Sequence, residues 1–277
     1  MKKIAFIILA LGMNLICYSQ NSTGPLDTIY TNNEKIACNV KEVTEDAVKY
    51  TYPGEETTNT MYKNAVQKIV FRSGRVTKFV EASALKSVAC ADDYDNVSLS
   101  RVESEVKGLY KLGEVSSKSD GATAFSNLEK MKERAVYTLK VQAAMQGGNV
   151  VYLTQESTNQ SGGGYYNAST TAINMAGIAY SNTIPDYNKF VAKINQRTDF
   201  TIIEDVELHT GNTDYTVKKV EEKFHINKIT NENGFIMISG NVKKEPADSF
   251  RVISYTDTYF IIYVSNVKSS YNMKVNF

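Results

Sequence analysis

The chain has 277 residues with 31 basic and 30 acidic side chains, 18 tyrosines, 11 phenylalanines and no tryptophan. A formal charge of +1, with lysines spread among acids, excludes the one-sided basic excess by which nucleic-acid binders are recognised. The length suits two or three small domains better than one.

Residues 1–19 begin with Lys2 and Lys3, continue through an apolar run from Ile4 to Ile16, and end in small residues at Ser19. This pattern predicts a secretory signal peptide, cut after Ser19. The run is shorter than the roughly 20 residues of a membrane-spanning helix. A lipoprotein reading would use Cys17, but Ile16 stands where that processing wants a small residue. Cleavage would remove two lysines and leave 29 of the 31 basic residues against 30 acids. The expectation is an exported protein, periplasmic or secreted, with no transmembrane segment after cleavage. An oxidising compartment would let Cys38 and Cys90 form a disulfide; the alternative is two small, partly buried thiols.

The expected fold class is α+β, mostly β: a small antiparallel β unit, a central ββαββ domain with one long helix, and a C-terminal antiparallel β domain. Residues 27–80 alternate strands with turns. Ile36, Cys38 and Val40 alternate with polar or small residues, and Ser73-Gly74 separates two runs as a hairpin turn would. The tyrosines Tyr50 and Tyr52 are expected to pack. A small antiparallel sheet or SH3-like barrel follows. Asp27-Thr28-Ile29-Tyr30, Ile36-Ala37-Cys38-Asn39-Val40, Val48-Lys49-Tyr50 and Ile69-Val70-Phe71 with Gly74 resemble a module common in exported Gram-negative envelope proteins, which implies a fold and a location and no activity.

Residues 94–181 form the predicted ββαββ unit, with strands at 97–102 and 108–117. Ser126 and Glu129 then stand as a capping box, the serine accepting from the Glu129 amide and the carboxylate reaching back. Leu128, Met131, Ala135, Leu139 and Ala143 recur at helical spacing, and Gly147 and Gly148 provide the left-handed stop. The apolar run at 150–153 predicts a strand covered on both faces. Residues 168–180 return as a second strand containing Gly177. Gly162–Gly164 lacks the lysine and the following helix of a phosphate-binding loop, so a hairpin loop is expected.

Glu133-Arg134-Ala135, Leu139, the run from Gln142 through Gly147-Gly148-Asn149-Val150-Val151, and Gly177-Ile178-Ala179-Tyr180 resemble the YbjQ-like heavy-metal-binding family and its envelope stress-sensor relatives. Gly147, Asn149 and Val151 match the first motif of that family, and Gly177 and Ala179 the second. The resemblance implies a small α/β unit that associates through its sheet, and its label suggests a metal. No ligand set at metal spacing accompanies the motif, because the unit has no histidine and Cys90 lies outside it. Asp92, Asp93 and Asp95 read as a solvated acidic turn. No metal, cofactor or cofactor-binding residue is expected.

Residues 182–196 read as a linker with a short helix after Pro185, and residues 197–277 as all β. Asn233-Gly234 is the clearest hairpin signal. His209 and His225 are the two histidines, and neither has a nucleophile or carboxylate adjacent in a catalytic motif, so both are expected at the surface. These readings converge on a non-enzymatic envelope protein with a binding or scaffolding role. Its central unit would serve self-association or docking of a protein partner. The alternative is a small-ligand or metal sensor or carrier.

Overall fold

Among the described residues period-2 burial dominates, in three sheets and two α-helices, and the fold is α+β, mostly β. A computed structural model describes residues 25–31, 35–79, 85–121, 127–161, 170–242 and 248–277. The expected signal peptide, the Ser126 half of the capping box and the Gly162–Gly164 loop lie outside those residues.

The first sheet contains β1 (Asp27–Thr31), β2 (Lys35–Val43), β3 (Ala47–Thr51), β4 (Asn59–Tyr62), β5 (Val66–Val70) and β6 (Val76–Lys78). Their order is β4-β3-β2-β1-β5-β6, all antiparallel. Ile36 and Cys38 point inward while Lys35 and Ala37 are exposed, and Ile29, Val48, Val66 and Ile69 complete the core. Buried Asp27 locks the sheet: its carboxylate accepts from the Val40 amide at 2.8 Å and the Arg72 amide at 2.8 Å. One side chain thereby ties the start of β1 to β2 and to the chain leaving β5.

The central sheet contains β7 (Ser98–Ser100), β8 (Tyr110–Gly121), β9 (Val150–Ser161) and β10 (Thr170–Ser181) in the order β7-β9-β10-β8, with α1 (Leu128–Met145) across one face. β7 is shorter than the alternation at 97–102 suggests, and it runs parallel to Val150–Tyr152. The α1 cap differs from the expected capping box. Asn127 is the N-cap, and its Oδ1 accepts from the amides of Glu129 at 3.0 Å and Lys130 at 3.2 Å. The Glu129 amide is therefore committed to Asn127, one residue later than the sequence pattern places the cap. The C-terminus follows expectation: Gly147, at φ +79°, donates to Ala144 O, and Gly148 donates to Ala143 O, the paired bonds of a Schellman stop.

α1 is buried along two stripes. Met131, Ala135, Leu139 and Ala143 pack on the sheet with Val115, Val151, Met175 and Ala179. Val141 and Met145 face the other way, onto Val206 and Leu208 of the C-terminal unit. Leu128, the first residue of the predicted stripe, is 45% exposed.

The C-terminal strands β11 (Asp199–His209), β12 (Thr216–Glu232), β13 (Phe235–Val242), β14 (Ser249–Tyr255), β15 (Tyr259–Ser265) and β16 (Ser269–Asn276) close into a barrel. Asn233 and Gly234, both at positive φ, make the β12–β13 hairpin. Phe200, Phe224, Phe250 and Phe260 fill the interior. The helix α2 (Tyr187–Ile194) belongs to this core: Phe190 is fully buried against Phe260, and Ile194 sits in the same cluster. The segment that reads as a linker is thus the barrel's plug.

The barrel docks on the end of α1. Arg251 Nη1 donates to Leu112 O at 2.9 Å and Nη2 to Gln146 O at 3.1 Å, while Asn272 Nδ2 donates to Met145 O at 2.7 Å. Tyr215 donates to Asp92 Oδ1 at 2.5 Å, and Ser254 donates to Ala89 O at 2.8 Å. A cation and an amide thus satisfy carbonyls at the helix C-terminus, where the macrodipole is negative. The first sheet is tied on separately by Asn64 Nδ2, which reaches the carbonyls of Ser104, Glu105 and Lys107 at 2.9 to 3.0 Å.

Candidate functional site

Three features of the central sheet decide what it offers to a partner. α1 covers one face, and its other buried side is taken by the barrel. The first half of the β8 edge is capped by side chains of the helix and the barrel. Gln142 imitates a neighbouring strand, accepting from Ser116 N at 2.9 Å and donating to Ser116 O at 2.7 Å, and Gln146 donates to Glu114 O at 3.2 Å. With Arg251 on Leu112 O, side chains occupy Leu112 O, Glu114 O and both backbone groups of Ser116, while β8 from Ser117 to Gly121 has β10 on one side and no strand on the other among the described residues.

The β9 edge is different. Only Val150–Tyr152 pair with β7. Beyond a bulge at Thr154, β9 continues to Ser161 with β10 on one side and no strand on the other among the described residues. Thr154, Gln155, Glu156, Thr158 and Asn159 are exposed. Glu156 binds Arg101, the residue that follows β7, and Lys132 of α1, each at 2.6 Å, and these cations hold its carboxyl below the usual range.

A cleft of about 480 Å³ lies where the polar half of the sheet meets the turn from Leu208 to Asn212 of the barrel. Ser117, Thr138, Gln142, Asn174, His209 and Asn212 are among its lining residues. Behind its rim sits an unforeseen cluster. Cross-strand pairing of β11 with β16 places Glu207 opposite Tyr271 and His209 opposite Ser269. The Glu207 carboxylate accepts from Tyr271 Oη at 3.0 Å, Ser269 Oγ at 3.2 Å and Lys218 Nζ at 3.0 Å. Burial pushes the Glu207 carboxyl up, and these hydrogen bonds outweigh it, leaving it below the ordinary glutamate range.

His209 joins this cluster, with Nδ1 2.8 Å from Ser269 Oγ and Nε2 3.3 Å from Glu207 Oε1. The three residue types are those of nucleophilic catalysis, but the arrangement differs from it. Ser269 is only 2% exposed and already donates to the carboxylate, and both imidazole nitrogens face inward to the cluster. A nucleophile must reach a substrate, and its base must face the proton it removes. The cluster instead fixes the turn that forms the cleft's rim. His209 and His225 are both exposed, as expected, and His225 pairs with Asp199 at 2.9 Å.

The other singled-out residues have structural roles. Asn149 is 1% exposed: its Nδ2 donates to Asn182 Oδ1 at 2.7 Å and Lys86 O at 3.2 Å, so the turn after the two glycines binds the chain on either side. Gly177 lies where a Cβ would fall 2.6 Å from Tyr152 O. Cys38 and Cys90 are free thiols in different units, one buried and one half-buried, which is the second of the two readings of the sequence and not the disulfide. Cys38 is held in the first core, where burial and then the Asp27 charge push its thiol up to about 11. Asp92 is bound by Tyr215, and Asp93 accepts from the Ala89 amide at 2.7 Å. Among the described residues no group of three or more histidine, cysteine or carboxylate side chains is placed to hold a metal ion. No helix of the described residues is long and apolar enough to cross a membrane.

No protein-family model, curated protein or solved structure matches this chain.

Proposed function

We propose that the chain is an exported, non-enzymatic envelope protein that works by binding, and that its central unit associates with a second copy through the free edge of β9. The leader pattern at residues 1–19 supports export, to the periplasm or beyond. The observation that carries the docking role is the contrast between the two edges of one sheet. Between Leu112 and Ser116 β8 is capped by Gln142, Gln146 and Arg251, and it carries Lys118 beyond, whereas β9 past Tyr152 has no strand on its outer side among the described residues.

Protein sheets commonly guard a free edge with lysine or proline. The stretch from Thr154 to Ser161 contains neither, and its Thr, Gln, Ser and Asn side chains are compatible with pairing in water. Two such edges laid antiparallel about a two-fold axis would make one continuous sheet of eight strands, a self-complementary and closed contact. A strand from another protein would use the same backbone groups.

Multi-angle light scattering of the chain from residue 20 onward, over a range of concentrations, tests this reading. A dimer is expected, reverting to monomer in Thr158→Lys, which installs the missing guard. A wild-type monomer at every concentration would refute self-association.

A further inference from the structure

We propose that the outer face of the first sheet docks on a bilayer surface rich in anionic phospholipid headgroups. The strand registers build a basic row across four neighbouring strands. Lys78 of β6 lies opposite Lys68 of β5, Lys68 opposite Tyr30 of β1, and Tyr30 opposite Lys35 of β2. Ile69, Ile29 and Ile36, the chain neighbours of Lys68, Tyr30 and Lys35, are buried in the core, so the row occupies the other face. It is about 14 Å long, three steps between adjacent strands.

The charges of this row are uncompensated. Among the described residues none of Lys35, Lys68, Lys78 and, at the β5–β6 turn, Arg75 is paired with a carboxylate. Lys49, toward the opposite edge of the sheet, is paired with Glu42 at 2.8 Å. The exposed acids of this unit among the described residues, Glu42, Glu45, Asp46, Glu55 and Glu56, lie on its β2-β3-β4 side. Two lysines directly opposite each other, Lys68 and Lys78, destabilise a sheet left to itself. Lysine on an edge strand guards against stray pairing, which accounts for Lys78 but not for Lys68 and Lys35 on inner strands.

The rest of the face selects a lipid surface. The next row, Val76, Val70, Thr28 and Ala37, is small or apolar, and Val76 is 49% exposed. Lysines from both neighbouring strands lie over the Tyr30 ring, Lys35 Nζ at 5.3 Å and Lys68 Nζ at 4.5 Å from its centroid. A tyrosine between lysine stems, beside an apolar row, suits the boundary between headgroups and acyl chains. A single-stranded nucleic acid would need that ring for stacking, where the lysines already lie.

Vesicle co-sedimentation of the chain from residue 20 onward provides the test, with vesicles of phosphatidylcholine alone or mixed equally with phosphatidylglycerol. Binding is expected to the mixed vesicles only, and it should weaken as salt is raised. Lys68→Gln and Lys78→Gln should each lower the affinity about fivefold, the worth of one lysine near an anionic surface. Lys49→Gln, whose charge is already paired, should bind as the wild type does. Circular dichroism confirms that the variants fold. No binding to the mixed vesicles, equal binding to both kinds, or wild-type affinity in folded Lys68→Gln and Lys78→Gln would overturn the proposal. A thymidine oligonucleotide bound more tightly than the mixed vesicles would also overturn it. Lys68→Gln and Lys78→Gln should keep the wild-type mass in light scattering, so lipid binding and association through β9 are read independently.

Discussion

Replacing Arg251 by methionine should uncouple the barrel from the central unit. The guanidinium makes two hydrogen bonds to carbonyls, Leu112 O and Gln146 O, and lies over the rings of Phe235 at 5.4 Å and Tyr263 at 5.2 Å. A hydrogen bond to a charged group contributes about 1.5–3 kcal/mol, and a cation at a helix C-terminus about 0.3–1 kcal/mol. Opposing this is burial of a charge held by carbonyls rather than by a carboxylate, which pulls the Arg251 pKa down. Methionine removes that penalty and fills much of the volume, but leaves two buried carbonyls without their donors. The net loss should be about 2–4 kcal/mol, a fall in melting temperature of roughly 5–15 °C. Arg251→Lys should fall between, since it keeps the charge and loses the planar fork. Differential scanning calorimetry should also resolve separate transitions for the barrel and the central unit in Arg251→Met. A variant that melts within a degree of wild type in an unchanged profile would refute the docking argument.

Three further outcomes follow from the packing. Gly177→Ala should cost about 1–3 kcal/mol in urea titration, because its Cβ would meet the Tyr152 carbonyl on an adjacent strand that cannot rotate away. Glu207 has a lowered folded pKa, so its contribution is present above the ordinary glutamate value of 4.5 and is lost as pH falls through the depressed one. The stability gap between wild type and Glu207→Gln should therefore be widest near neutrality and shrink below pH 4.5; a gap independent of pH would contradict the cluster's ionisation. Cys38, buried with its thiol pushed to about 11, should resist alkylation at about pH 8 until the protein is unfolded. Rapid native labelling of Cys38 would show that the first sheet opens readily.

Local patterns were legible in the sequence where one segment determines its own geometry. α1 and its glycine stop were of this kind, because apolar spacing and two adjacent glycines act within a few residues. The Asn233-Gly234 hairpin and the alternation of Ile36 and Cys38 belong with them. The cap shifted by one residue because Asn127 competes for the same amide that Ser126 would need, and both are good capping residues. The second buried stripe of α1, Val141 and Met145, could not be assigned from periodicity, since its partner strand begins more than fifty residues later.

The site residues illustrate the same limit more sharply. Glu207 with Tyr271, and His209 with Ser269, meet only because β16 returns to close the barrel against β11. Sequence supplies two alternating pairs on unconnected strands, and the closing register alone makes them one cluster. Arg251 looks like an ordinary half-buried strand residue until Gln146 is known to end beneath it. Residues 182–196 read as a linker with a short helix because nothing local shows what the apolar face of that helix would meet; Phe190 and Ile194 become a plug once six strands surround them.

The central claim is that the chain associates through the unguarded edge of β9. Light scattering of the chain from residue 20 onward beside its Thr158→Lys variant, at matched concentrations, tests it most directly. A concentration-dependent dimer is expected for the wild type and a folded monomer for Thr158→Lys. A wild-type monomer throughout, or a dimer that Thr158→Lys leaves intact, would contradict it.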